Sequence, residues 1–106
     1  MTSLFIPLCR KWFEAFERGE KTTEYRVWGP RWNIRTCPPG RLVTLSLGYG
    51  KHRRLYGVVK YFDVVGPDAD PAIAEVFPGK DRISAISITL FGRGNIDTLP
   101  APQGEE

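Results

Sequence analysis

Histidine is nearly absent from the chain: His52 stands alone, and the two cysteines, Cys9 and Cys37, lie far apart with no C-x-x-C pair. A zinc site of the usual kind needs closely spaced Cys and His ligands, so none is expected. Long apolar runs are missing too. No window approaches the ~20 apolar residues that cross a bilayer, and Met1–Leu8 lacks the basic start and sustained apolar core of a secretory leader. The expectation is a cytoplasmic protein with two reduced thiols, no metal and no cofactor. Internal repeats and low-complexity blocks are also absent.

What is present suits one small globular domain. The 106 residues are 42% hydrophobic, 12% aromatic and 25% charged, an ordinary composition for a chain that buries a core. At this length folding hides roughly 65% of the surface that the open chain exposes. A domain over residues 1–94 is expected, with a flexible tail over 95–106 where the chain turns to Pro, Gly and Glu. Fifteen basic residues against twelve acidic ones give a net charge of +3. Two of the acids are Glu105 and Glu106, so the body is closer to +5 (15 minus 10). Ten of the fifteen basic residues are arginine, whose planar fork suits phosphate and base recognition.

Local patterns place the elements. Leu4–Leu8 reads as a first strand. Arg10–Arg18 reads as a helix, with Trp12, Phe13, Ala15 and Phe16 giving an aromatic face toward the core. Gly19 then ends it, because glycine takes the left-handed conformation without steric cost. Thr22–Val27 is β-prone. Pro30 can open a short helical turn through Arg35. Leu42–Leu47 alternates, with Val43, Leu45 and Leu47 on one face and Thr44 and Ser46 on the other. Gly48–Arg54 is a basic, glycine-flanked loop, and Leu55–Val65 is a long central strand. Asp70 before Pro71 is an N-cap for a helix ending near Phe77. Ile83–Leu90 is the last strand. Strands with short inserted helices, rather than a regular βαβ alternation, predict an α+β fold built on a largely antiparallel sheet or small barrel.

The densest polar cluster runs from Gly19 to Arg26. In an extended segment side chains two apart share a face, so Thr22, Glu24 and Arg26 point the same way and Lys21 can swing to the mouth of that face. A carboxylate between two cations is charge-compensated and offers an acceptor, a cation and an acid/base pair. Gly19, Lys21, Glu24 and Arg26 together reproduce a G-x-K-x-x-E-x-R pattern. Ile6-Pro7-Leu8 and the helix with Trp12-Phe13 precede it, while Trp32 and Gly48-Tyr49 follow. In this the chain resembles the ASCH domain family, over roughly Leu4 to Leu90.

The resemblance implies a small PUA-like β-barrel with short flanking helices, and a cleft lined by the pattern that holds RNA or a nucleotide. It implies two functional classes. The first is a binding module for single-stranded RNA or a nucleoside, monomeric, with Lys21, Glu24, Arg26, Trp32, Tyr49, Lys51, Arg53 and Arg54 as ligand contacts. Tyr49 would be a stacking platform, and the loop arginines would meet phosphates. The second is a metal-independent hydrolase acting on single-stranded RNA (a ribonuclease) or on acylated nucleosides (an amidohydrolase), with Lys21 and Glu24 as its catalytic pair. The amidohydrolase branch carries threonine where this chain has Glu24, which argues against a threonine nucleophile. A protein-interaction module with a vestigial cleft is the third alternative, and the structural reading of Glu24 with Arg26 is a pair that braces the barrel. Trp12, Cys9 and Cys37 are expected in the core.

Overall fold

The computed structural model describes residues 2–92; the expected tail over 95–106 lies outside them. Five strands form one sheet: β1 (Leu4–Leu8), β2 (Thr23–Val27), β3 (Leu42–Leu47), β4 (Arg54–Val65) and β5 (Ile83–Gly92), in the spatial order β1-β3-β4-β5-β2. Only β1 with β3 is parallel; the other three pairings are antiparallel. Helix α1 (Arg10–Glu17) links β1 to β2, and α2 (Pro71–Val76) links β4 to β5. The long Leu55–Val65 segment is central, as its β-rich composition predicts, and it pairs on both sides.

The sheet curls but does not close. β1 and β2 are its two edges, yet the Arg26 guanidinium on β2 donates to the Pro7 carbonyl on β1 at 2.8 Å. One side chain therefore spans the seam that a complete barrel would zip with backbone bonds, and the expected barrel is a half-barrel. Pro7 fits an edge position because its missing N–H faces no neighbour in the ladder. Two register shifts in the β4–β5 ladder, between Tyr56 and Gly57 and between Val59 and Tyr61, bend the sheet, as bulges do.

The core fills the concave side. Ile6, Phe13, Phe16, Leu45, Leu55 and Ile86 are all at most 1% exposed. Helix α1 runs from the extended Cys9 to Arg18, and Gly19 follows at φ 79, the left-handed residue that sequence predicts. Asp70 accepts from the Ala72 N–H at 2.9 Å and Pro71 opens α2, as expected. Two local expectations change. The turn after Pro30 is not helical from Arg31: Asn33 organises it, accepting from the Arg35 and Thr36 N–H groups and donating to the Gly29 carbonyl, so the chain makes one turn only at 33–37. In β3 both faces are covered. Ser46 is buried because its hydroxyl donates to the Gly50 carbonyl of the following loop, and Thr44 bonds Ser3.

Gly57 tests the curl. A Cβ there would press into the Thr89 carbonyl oxygen and stand 3.1 Å from the Leu90 Cα, both backbone atoms of β5. Gly57→Ala should cost about 1–3 kcal/mol of stability, the range for overpacking, read from urea unfolding; an unchanged midpoint would mean that β5 is free to move away.

Candidate functional site

A cleft of about 640 Å³ opens beside the seam. Its walls are the end of β1 at Pro7 and Leu8, the Trp12 and Ala15 side of α1, the segment from Glu20 to Arg26, and one side of α2 at Asp70, Ile73 and Phe77. Seven consecutive residues line it from β2 and its approach, although strand side chains alternate. The register explains this. Thr22 accepts from the Ile88 N–H and the Trp28 N–H donates to Arg82, so even-numbered residues of β2 turn their main-chain groups to β5. The main-chain groups of Thr23 and Tyr25 therefore face the open edge, toward the cleft.

Glu24 is the centre of the site. It is 6% exposed, and one oxygen, Oε2, accepts from Arg26 Nε at 2.7 Å. The other, Oε1, stands 3.7 Å from Lys21 Nζ, too far for a direct hydrogen bond. The spacing of two places Glu24 and Arg26 together as sequence predicts, and Lys21 reaches the same carboxylate from just before the strand. The Lys21 ammonium also lies 4.9 Å from the Trp12 ring centroid, 5.6 Å from that of Phe16 and 5.4 Å from that of Tyr25, within cation–π range of all three. Neither Lys21 Nζ nor Glu24 Oε1 has a hydrogen-bond partner among the described residues, so a donor–acceptor pair faces the cleft.

Charge in the cleft is nearly balanced. Lys21 and Arg26 face Glu20, Glu24 and Asp70. Glu20 is in turn held by both Arg18 Nε and its terminal nitrogen at 3.0 Å, and this hydrogen-bonded guanidinium lowers the Glu20 pKa. Burial, with Asp70 as the second cause, pushes the Tyr25 phenol above its ordinary value of 10.0.

The remaining expected contacts are not brought to this site. Trp32 lies in the core at 9% exposure, with Arg26 on its ring at 4.8 Å and its carbonyl accepting from Ser84; it backs the site rather than lining it. Trp12 is the converse. Expected in the core, it is half-buried and lines the cleft, because it sits at the shoulder of the Phe13–Phe16 face beside Ala15. Cys37 is buried, but Cys9 is exposed at the start of α1 and reaches the cleft wall; the extended N-cap position turns it outward. Tyr49 is 80% exposed and packs on Phe5, its ring centroid 6.1 Å away, with the Arg54 guanidinium on the same Phe5 ring. Arg53 pairs with Glu17 and Glu14 on the face of α1 opposite Trp12. Lys51 is exposed in the same loop. Tyr49, Lys51, Arg53 and Arg54 thus form a second cluster outside the cleft lining.

Two outcomes follow from this geometry. Arg26→Met leaves Glu24 buried with only Lys21 for compensation and removes the bond to Pro7, so stability should fall by about 3–5 kcal/mol, as for a broken buried pair; Glu24→Gln should cost about 1.5–3 kcal/mol. Urea midpoints equal to wild type for both would show that the seam does not need the brace. In alkali, the raised Tyr25 pKa makes a contribution that is whole below the unfolded value near 10 and is lost as pH rises through the folded pKa. Tyr25→Phe should flatten that part of the stability–pH curve; a Tyr25 phenolate appearing at an ordinary pH in the folded protein would contradict it.

Comparison with known proteins yields fold and no more. No protein-family model matches the chain, and no curated protein matches it. Among solved structures, the ASCH protein of Zymomonas mobilis superposes with a TM-score of 0.62 at 13% identity, covering 93% of this chain and 82% of that one. A tyrosine-to-phenylalanine mutant of the Zymomonas mobilis protein gives a TM-score of 0.61 at 13% identity, covering 93% and 84%. The curled, mostly antiparallel five-stranded half-barrel with its two short helices is an ASCH-like, PUA-like α+β fold.

Proposed function

We propose that the cleft binds one nucleobase or nucleoside unit of single-stranded RNA, in a reducing cytoplasmic setting. The observation that carries this reading is the ion pair in its lining: Lys21 Nζ and Glu24 Oε1 stand 3.7 Å apart, too far for a direct hydrogen bond. Every nucleobase presents a neighbouring acceptor and donor along its pairing edge, which complements an ammonium beside a carboxylate oxygen. Trp12 and Tyr25 supply aromatic walls, and base–aromatic stacking is worth about 1–3 kcal/mol per base. The volume lies within the range of small-ligand pockets. Near-balanced charge favours a neutral base over a phosphate inside the cleft. The main-chain groups of Thr23 and Tyr25 on the open edge add further polar partners. The ASCH-like fold agrees with this class of ligand.

The hydrolase alternative uses the same pair, Lys21 to stabilise developing negative charge and Glu24 as general base. No hydroxyl or thiol in the cleft is hydrogen-bonded to a carboxylate or imidazole among the described residues, which argues only against a covalent route through a protein nucleophile; in this alternative the attacking group is water or the RNA 2′-OH.

Calorimetric titration with nucleosides and short RNA, alongside hydrolysis assays on RNA and acylated nucleosides, tests the reading. Wild type should bind and release its ligands unchanged. Trp12→Ala should weaken binding by about 1–3 kcal/mol with the fold intact. Turnover by wild type that vanishes in Lys21→Met would replace binding with catalysis as the function, and no heat with any nucleoside or RNA would remove both.

A further inference from the structure

The turn that joins β2 to β3 carries aromatics and arginines that the cleft does not use. Arg82 lies over the exposed Trp28 ring, 4.1 Å from its centroid. The Trp28 N–H donates to the Arg82 carbonyl at 3.1 Å, which fixes the start of β5 to this turn. One residue on, Gly29 and Trp32 exchange two backbone hydrogen bonds, at 3.1 and 3.2 Å, so the two indoles belong to one rigid loop. The Trp32 ring carries Arg31 at 5.2 Å and Arg26 at 4.8 Å. Arg26 is also the residue that holds Glu24 in the cleft. Arg26 and Arg31 thus sit on the buried Trp32 ring and Arg82 on the exposed Trp28 ring, while Arg31 and Arg35 are exposed on the same turn.

The exposed charges around this turn are uncommitted. Among the described residues Arg31, Arg35 and Arg82 make no ion pair, whereas Arg10, Arg18, Arg26 and Arg53 each have a carboxylate. In the basic loop singled out by sequence, Arg53 is taken up by Glu14 and Glu17, which leaves Lys51 and Arg54 there without an ion pair among the described residues. A guanidinium laid flat on an indole keeps its edge N–H groups free for phosphate oxygens while offering its own face to a base.

We infer that the exposed Trp28–Arg82 stack, with Arg31 and Arg35, forms a track for the sugar-phosphate backbone of single-stranded RNA whose base enters the cleft. This rests on the base-binding reading above and divides the ligand in two: a neutral base inside, where charge is balanced, and phosphates outside, where it is not.

The test uses the intact chain and a labelled single-stranded RNA of about eight nucleotides, a length within the site sizes of such binders, next to a free nucleoside. In the triple variant R31Q/R35Q/R82Q the oligonucleotide should bind at least tenfold more weakly. The slope of log affinity against log salt should fall by about 2, since each single-strand phosphate contact contributes about 0.7. Nucleoside affinity and the melting midpoint should stay at wild-type values. K51Q/R54Q should move the slope less. Unchanged oligonucleotide affinity and slope in the triple variant would overturn the track. So would wild-type binding of double-stranded DNA or heparin as tight as that of the RNA, which would mark a general polyanion patch. Oligonucleotide binding that needs the three arginines, in a protein that binds no nucleoside and is indifferent to Trp12→Ala, would keep the track and overturn the cleft reading.

Discussion

One guanidinium decides the architecture: Arg26 joins the two free edges of a sheet that does not close. Backbone pairing would draw β1 and β2 to within about 4.8 Å and leave nothing between them. Because the link from β2 to the Pro7 carbonyl is an arginine side chain, the edges meet without backbone pairing, and the cleft opens beside that link. The arrangement depends on Glu24 for its charge. A guanidinium at the edge of the core needs a counter-charge, and the short bond to Glu24 Oε2 provides it. That bond leaves Oε1 turned to Lys21. The brace and the candidate site are consequently one set of atoms, and neither can be altered without the other.

Much of this was legible in the sequence where the determinant is local. Gly19 ends α1 because of its conformational freedom, Asp70 caps α2 through its own carboxylate, and Glu24 and Arg26 meet because a strand repeats every two residues. The convergence of Lys21 on the same carboxylate follows from its place just before that strand. Pro7 also fits its place at the seam, because proline within a strand belongs at a sheet edge, although the expectations from sequence name no edge there.

What stayed hidden depends on which elements pack across the sheet. Trp32 lies inside the core, while Trp12 packs against the core's edge and lines the cleft as well. An indole flanked by arginines reads the same in sequence whether its ring faces solvent or backs a buried guanidinium, and Trp32 does the second. Trp12 lies on the shoulder of an aromatic helix face, where the decision between core and cleft belongs to α2, an element sixty residues away in sequence. Arg53 shows the same limit for charge. Its loop is basic by composition, yet Glu14 and Glu17 on α1 absorb it, a pairing that no spacing rule reveals.

The double duty of Glu24 also bears on what the site can do. A general base must take up a proton in the transition state. Were Glu24 to do so, its pairing with Arg26 would lose its charge at the moment of reaction, and the bridge to Pro7 would lose the counter-charge that anchors it. Chemistry at Glu24 would therefore be coupled to loosening of the fold. Accepting a hydrogen bond from a ligand makes no such demand: the carboxylate keeps its charge, Arg26 keeps its partner, and the ligand's own donor occupies the Oε1 position that the fold leaves open beside Lys21. A residue committed to holding the sheet together is better suited to accepting a hydrogen bond than to transferring a proton.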